Sequence, residues 1–457
     1  MSSETTSPIS AVTLCERAAA ALRDGRPAAA ARLLRAAVAM EPGKPLPYRN
    51  IANLARWLAR DPRAAAFKAL HRAYRLRPED AAIRQMYGEQ LFLRHDPAAE
   101  AFLFPGAAGP AWSGRLVTPA EFASRAGVQT VVPSALNAPP AEPGRAMAFR
   151  CERPIVLGGS FALLPTSDQL MIEGMVHNPV RISGGRLDAE QGLVAADGHF
   201  LCRRRPVRAV EHGCFLLGDS TNYGHWLWNH FARLAYLDHL GIEAGRLKVL
   251  VGAPLSQARR DMLALAGIGP ERIEAIAPDE AVAPAALWAP TMLWGGYPHG
   301  PDDACFLNGA ASAFVRRFAL DAGRPHRRLY LTRRNAAWRR LANEAEVATL
   351  LERHGFETID PGALSFDEQR RLAAEASHIA GPFGAGMNFA AFAPVQATVI
   401  EFKLPDVEMD LAPVVCAAIG QRYCAVAATP AVPGQYALNA DLLVDVAGLS
   451  ALLRDVV

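Results

Sequence analysis

Four groups of residues have types and spacings that could do chemistry. The first lies in the stretch 221–240, where Asn222, His225, Asn229 and Arg233 recur at intervals of three, four and four. That spacing puts them on one stripe of a helix. Their neighbours are Tyr223, Trp226, Leu227, Trp228, Phe231, Leu234 and Tyr236. A surface helix has a broad charged face, whereas this one has a narrow polar line in an aromatic cylinder. It reads as a mostly buried helix with one edge on a cleft. The other reading, a core helix whose polar groups are satisfied internally, stays open.

The second group is RPHRRLYLTRRNAAWRR, residues 324–340, with seven Arg, one His and no acid. Arg outnumbers Lys 44 to 4 in the whole chain, so a cluster counts only where its placement matters. Arg327 and Arg328 precede a predicted strand and read as a solvated face. Arg333, Arg334 and Arg339 fall at the strand's C-terminal end and in the loop after it, where guanidinium groups can grip a phosphate bidentately. The third group is GPFGAGMNF, residues 381–389. Here a small-residue turn leads from a strand into a helix N-terminus, whose amides and dipole favour an anion. The fourth is Glu401, at the end of the strand-like TVIEF, a carboxylate able to accept ribose hydroxyls. Taken singly, the turn and the carboxylate are weak signals.

Some patterns are missing from the sequence. It has no phosphate-binding loop ending in Gly-Lys-Ser/Thr, no GxSxG, no HExxH and no EF-hand loop. It has no Asp-x-Asp, the pattern by which many sugar transferases hold a divalent metal. If a nucleoside diphosphate binds, Arg and backbone N–H groups must neutralise it. A nicotinamide-dependent oxidoreductase is disfavoured, because no Rossmann glycine fingerprint with its acidic partner is present.

The elements that must position these residues can be read from alternation. From Cys214 onward, short apolar runs alternate with amphipathic helices. CFLLGD, LKVLVG and RIEAIA read as strands. The stretch 221–241 reads as a helix capped by Thr221 or Asn222 and closed by Gly241, and 256–267 as a Ser-capped helix. A long helix is expected over 306–323. The pattern then restarts, with strands RLYLTRR, FETIDP, HIAGPFG and TVIEF and helices over 343–355, 365–377 and 386–394. Such alternation predicts parallel sheets with helices on both faces. Two such halves predict a cleft between them, with ligands at strand C-termini. Residues 155–213 read as a β-rich meander, and 104–154 as a Pro/Gly/Ala-rich linker with first strands.

Before these halves, residues 11–102 have a helical period. Pro27, Pro62 and Pro97 are spaced 35 apart, two of them in Asp-Pro pairs. Leu33, Leu34, Ala37 and Val38, then Phe67, Leu70, Ala73 and Tyr74, mark helices that end near Pro42 and Pro78. The matching small residues are Ala20, Gly25 and Ala30, then Ala55 and Ala66. This looks like two to three degenerate tetratricopeptide repeats, with an ordinary helical bundle as the alternative. A repeat region of this kind offers a curved surface to a protein partner or to a second copy.

Three stretches together resemble a known family: HWLWNHFARLAYL, RLYLTRRNAAWRRLANEAEV and GFETIDPGALSFDEQRRLAAEASHIAGPFGAGMNFAAFAPVQATVIEF. They are similar to glycosyltransferase family 61, strongly over 212–403. The resemblance implies α/β halves of GT-B type, a GT-B-like pair of Rossmann-like halves with a cleft between them, preceded by an all-α helical repeat domain. It divides the chain into a helical domain at 1–105, an acceptor-side half at 106–322 and a nucleotide-sugar half at 323–457. It also implies inverting transfer of a sugar from a nucleotide diphosphate donor to a glycan or other hydroxyl acceptor, with no obligatory metal and no cofactor besides the donor, in surface polysaccharide biosynthesis. By position, His225 and Arg233 match family residues in the first stretch, and Arg334, Arg339, Asn343 and Glu344 in the second. Gln369, Gly384, Ala385, Gly386, Asn388 and Glu401 match in the third.

The reading that follows has His225 as the first candidate base and Asp219 as the second. Asn222, Asn229 and Arg233 lie on the substrate side. Arg333, Arg334, Arg339 and Asn343, the turn Gly384–Asn388 and Glu401 lie on the donor side. Two departures stand out: Phe383 sits where the family often has His, and Asn229 where it often has an acid. They motivate an alternative, a weak or inactive relative that acts through its repeats.

Composition limits the remaining classes. The chain has 457 residues and a net charge of +3, which argues against a nucleic-acid partner. With 51 % apolar and 20 % charged residues it is a globular chain. Seven scattered cysteines without C-x-x-C spacing fit reduced thiols. The absence of a leader and of any long apolar run predicts a cytoplasmic protein without a membrane span. Peripheral attachment to the inner membrane stays open.

Overall fold

The computed structural model describes residues 10–23, 26–58, 61–107, 109–134, 136, 146–171, 192–196, 198–295, 306–307, 309–405, 411–432 and 439–457. Gly25 and Cys305 lie outside the described residues. The chain divides into two compact units, one of residues 1–115 with 181–204 and the other of 116–180 with 205–457.

The first unit is mainly helical: α1 (Ala11–Arg23), α2 (Pro27–Met40), α3 (Pro45–Leu58), α4 (Pro62–Leu76), α5 (Ala81–Phe92) and α6 (Ala99–Leu103). The helices pack as successive hairpins, α1 on α2, α3 on α4 and α5 on α6. The Asp-Pro signal has a local cause at α4. Asp61 is the N-cap, its carboxylate accepting from Ala64 N at 3.0 Å, and Pro62 takes the first turn, where its missing N–H costs nothing. Small residues Ala30, Ala37 and Ala73 are fully buried and let helices approach closely. Further along, Tyr74, Tyr87 and Phe102 form an aromatic cluster with ring centroids 5.1–5.4 Å apart. Strands Trp112–Leu116, Leu193–Ala196 and His199–Cys202 pair antiparallel in this unit.

The second unit holds two large sheets and a two-stranded one. The first contains β1 (Thr130–Val131), β2 (Ala148–Glu152), β3 (Ile155–Leu157), β4 (Leu163–Thr166), β5 (Gln169–Met171), β6 (Val207–Gly218), β7 (Lys248–Gly252), β8 (Ile273–Ile276) and β9 (Ala281–Pro290). Its parallel core runs β8-β7-β6-β9. From β9 it continues antiparallel through β2 and β3. Strand β9 was not expected from the sequence, because Pro284 and Pro290 argue against a central strand. The sheet accommodates Pro284 at a register shift between Pro284 and Ala286. Helix α7 (Gln257–Leu265) is Ser-capped as expected. The long helix expected over 306–323 is instead α8 (Gly309–Arg316), with Phe306–Leu307 in a short strand against Trp294–Gly295.

The second sheet contains β10 (Arg327–Leu331), β11 (Phe356–Ile359), β12 (Ala376–Pro382), β13 (Thr398–Lys403), β14 (Arg422–Pro430) and β15 (Leu442–Val444). The order is β11-β10-β12-β13-β14-β15, parallel except for the last edge strand. Helices α9 (Glu344–Arg353), α10 (Phe366–Ala374), α11 (Leu411–Ile419) and α12 (Val446–Val456) accompany it. Ser365 and Glu368 close α10 with a capping box. The fold is mixed α/β, with two parallel-rich sheets after an N-terminal helical region. Among the described residues no helix is long and apolar enough to cross a membrane.

Strand order fixes where ligands can sit. In an open parallel sheet, the connections from the two central strands leave in opposite directions where the order reverses, which opens a crevice at their C-terminal ends. In the second sheet that point lies between β10 and β12. The parallel core of the first sheet reverses between β6 and β9. The residues that follow these strands are 332–340 and 383–388 in one case, and 219–225 and 291–294 in the other.

Candidate functional site

Residues from both reversal points line one cavity of about 170 Å³. The first half contributes Asn222, Gly224, His225 and Trp294, and the second Arg339, Phe383, Gly384, Ala385, Asn388 and Glu401. All of them belong to the second unit.

The segment after β6 begins as a capped helix. Asn222 is the N-cap, and its amide oxygen accepts from Gly224 N at 2.9 Å and His225 N at 3.4 Å. The expected α-helix over 221–240 does not continue. After Tyr223–His225 come a π turn, Trp226–His230, and a 3₁₀ stretch, Phe231–His239. The cause is visible in the side chains. Every residue from Trp226 to Tyr236 is buried, so this stretch has no solvent face and must fit a core. The π turn widens the spiral to make that fit, as π turns often do near functional sites.

The polar stripe separates into three roles. The His225 imidazole lines the cavity, and its Nδ1 lies 2.9 Å from Asn229 Oδ1. Asn229, 3 % exposed, also donates its amide to the Trp294 carbonyl at 3.1 Å. Arg233 is fully buried away from the cavity and donates to the Leu217 carbonyl at 3.2 Å. Asp219 forms an ion pair with Arg259 and is not among the cavity's lining residues. The Arg259 guanidinium stacks over Trp226 at 5.1 Å.

The arginines separate as well. Arg339 lines the cavity, with its guanidinium 4.8 Å above the Phe383 ring. Its backbone is held at φ +60°, a region that costs a non-glycine residue energy and is found disproportionately at functional sites. Arg333 donates to the Trp338 carbonyl at 3.1 Å, which pins the loop. Burial, then the neighbouring Arg339 charge, pushes the Arg333 guanidinium down to about 10. Two cations therefore sit side by side beneath the Gly384 turn. Arg334 points elsewhere: its side chain is 67 % exposed and pairs with Glu344 at 3.3 Å. Glu344 also accepts from Tyr330 Oη at 3.0 Å and from Thr332, so it braces the strand end. Asn343 bridges to Val444 through both its amide atoms, and Gln369 donates to the Pro361 carbonyl at 3.0 Å. Both hold loops together and are absent from the cavity wall.

The small-residue turn has a steric reason at each of two glycines. Gly384 has φ +145°, and a Cβ there would lie 2.9 Å from Arg333 Nη1 and 3.4 Å from Arg339 Nη1. Only glycine lets both guanidinium groups close on the turn. Gly224 faces Asn388, whose Nδ2 would lie 2.8 Å from an added Cβ. Asn388 donates to the Ala385 carbonyl at 2.8 Å and accepts from Trp228 Nε1 at 2.6 Å. The expected helix after the turn is a 3₁₀ helix, Ala385–Phe392. Glu401 is 1 % exposed, lines the cavity and accepts from Tyr423 Oη at 2.8 Å.

Sequence reasoning missed Trp294, whose ring centroid lies 5.3 Å from that of His225. It follows β9, the strand that its prolines concealed. The cavity thus has an imidazole and an indole on one side, and the Arg339 guanidinium, a glycine turn and a buried carboxylate on the other, with the Arg333 guanidinium against that turn. The first set can accept a proton from a hydroxyl, and the second can hold a polyphosphate and a diol.

Residues 223–400 match the family model described as Glycosyltransferase 61. That segment is a glycosyltransferase domain, and it contains every cavity residue named above except Asn222 and Glu401, which flank it. No curated protein matches the chain. Among solved structures, the chain is similar to a mutant O-GlcNAc transferase of Thermobaculum terrenum at 12 % identity, with a TM-score of 0.19. The match covers 94 % of this chain and 59 % of that one, so this chain spans less than two thirds of its length.

Proposed function

We propose that this protein is an inverting, metal-independent glycosyltransferase. It moves a sugar from a nucleotide diphosphate donor to a hydroxyl of a glycan acceptor, in surface polysaccharide synthesis. The reading takes residues 106–322 as the acceptor-side half and 323–457 as the donor-side half of a GT-B-like pair, with the repeats at 11–102 available to a protein partner or a second copy. The observation that carries it is the convergence of two reversal points on one cavity, most of whose lining belongs to the family-matched segment.

In the proposed reaction His225 takes the proton of the acceptor hydroxyl. The oxygen's electron pair attacks the anomeric carbon as that carbon's bond to the phosphate oxygen breaks, and the bonding pair leaves with the diphosphate. Arg333, Arg339 and the amides of the Gly384–Asn388 turn balance the charge that develops on the leaving group. Glu401 accepts ribose hydroxyls. Asp219 is the weaker candidate base, since its carboxylate already pairs with Arg259.

The test is a thermal-shift screen of the full chain against UDP- and GDP-sugars, followed by NMR of the product's anomeric configuration with the best donor. Stabilisation by one nucleotide class and an inverted product support the proposal. Retention of configuration would overturn the mechanism. No stabilisation at millimolar ligand would favour the alternative, an inactive relative acting through its repeats.

A further inference from the structure

We infer that Asn229 is a positioning residue that locks His225 in the tautomer with its proton on Nδ1 and its lone pair on Nε2. The role as a base rests on the proposed function; the tautomer rests on geometry alone.

The contacts of Asn229 fix which atom faces His225 Nδ1. The Trp294 backbone carbonyl can only accept a hydrogen bond. The Asn229 atom facing it at 3.1 Å must therefore be the NH₂ end of the amide. Turning the amide over would set two acceptors against each other, so the usual ambiguity between amide ends is removed. The opposite end, the amide oxygen, then faces His225 Nδ1 at 2.9 Å. An amide oxygen has no proton to give, so Nδ1 must carry one. A neutral imidazole carries a single proton, which leaves the lone pair on Nε2. Asn229 is 3 % and His225 6 % exposed, so bulk water is not there to substitute for the amide. The Trp294 ring, tilted at 47° to the imidazole, restricts the ring plane as well.

Trp294 thus acts twice, its carbonyl orienting Asn229 and its ring bracketing His225. A carboxylate at 229 could accept the same hydrogen bond, but it would add a negative charge beside the ring and stabilise the imidazolium. The amide keeps the orientation without the charge. Asn229 therefore keeps the lock that an acid would provide and omits its electrostatic effect. Among the described residues, the other charged groups that line this cavity are Arg339 and Glu401, of opposite sign. His230, on the same helical segment, is turned to the Leu217 carbonyl at 2.7 Å.

The test is nitrogen NMR of the full chain labelled with ¹⁵N-histidine, with the His225 signals assigned by their loss in His225→Gln. At pH 8 the expected pattern is a protonated Nδ1 and a non-protonated Nε2. Asn229→Asp should keep that tautomer when neutral and move the midpoint of imidazole protonation upward by about one pH unit or more. Asn229→Leu should lose the tautomer preference. A wild-type imidazole protonated on Nε2, or a folded Leu variant with an unchanged spectrum, overturns the inference. Should circular dichroism find the Leu variant unfolded, the near-isosteric Asp variant decides, and an unmoved midpoint overturns it. The spectra need no sugar donor. A correct tautomer in a chain that transfers no sugar sinks the proposed function and leaves the lock standing.

Discussion

The indole N–H of Trp228 donates to the amide oxygen of Asn388 at 2.6 Å, while the Asn388 NH₂ donates to the Ala385 carbonyl at 2.8 Å. One side chain therefore joins the segment that carries His225 to the turn that follows Gly384. The bond is buried, and both partners keep a fixed donor and acceptor sense. Motion of the His225 segment relative to the Gly384 turn must break it. Asn388 matches a family residue in a stretch read as donor-binding, yet its amide is spent holding the two halves of the site together.

Asn388→Ala leaves the Trp228 N–H and the Ala385 carbonyl without their partner. Each buried polar group stranded in this way costs about 1–3 kcal/mol. With two such groups stranded, the variant should lose about 2–6 kcal/mol of stability in a urea titration, with the slope of the transition unchanged. It should lose transfer activity more steeply than pyrophosphate binding, because the arginines stay in place while the base drifts from them. Wild-type stability would show that the bond has no energetic weight.

Gly384→Ala tests the close approach of the turn to the arginines. The added Cβ meets Arg333 Nη1 at 2.9 Å, the end of a flexible side chain, so the fold should survive while the guanidinium is displaced. The positive φ adds backbone strain of about 1–3 kcal/mol. Pyrophosphate affinity by calorimetry should fall about tenfold or more, the effect of roughly 1.4 kcal/mol. Unchanged affinity would mean that the anion does not sit against this turn.

Arg334 and Arg339 look equivalent in the sequence, and the fold separates them. Arg339→Ala should cost on the order of 100-fold in turnover, as loss of one leaving-group contact does elsewhere. Arg334→Ala, at a side chain that is 67 % exposed and paired with Glu344, should cost less than about tenfold. Salt should weaken donor binding in the Arg334 variant as much as in the wild type. A reversed ranking of the two variants would place the diphosphate outside the cavity described.

The alternation of apolar runs and helices from Cys214 onward was legible because most runs are short and buried, and Asn222, Ser256 and Ser365 cap the segments that follow three of them. The Arg loop and the glycine turn were read as anion contacts from local sequence, and the fold brings Arg339 and Gly384 to one cavity. What stayed hidden depended on distant packing. Pro284 and Pro290 disguised β9, and with it the position of Trp294. The aromatic residues at 226–236 read as an α-helix, because the core that forces them into π and 3₁₀ turns is built from other segments. Asn229 and Arg233 lie on the predicted stripe, but the stripe turns inward after His225, and only the fold could show that the cavity ends there.

The paired guanidinium groups predict an upper pH limit on anion binding. Burial first, and Arg339 second, hold Arg333 down to about 10, so at neutral pH both groups are charged and repel. Arg339 also keeps a left-handed backbone, which costs a non-glycine residue about 1–2 kcal/mol. Arg339→Gly removes both penalties together with the stacking on Phe383, and pyrophosphate should no longer raise the melting temperature of that variant. In the wild type, pyrophosphate should raise the melting temperature equally between pH 7 and 9. The gain should shrink as the pH rises through about 10, where Arg333 gives up its proton and the anion loses one of its two cations. Burial is the larger cause of the shift, so Arg333 should recover only part of its ordinary basicity in the Arg339→Gly variant. A wild-type gain that persists unchanged above pH 10 would remove Arg333 from the anion site.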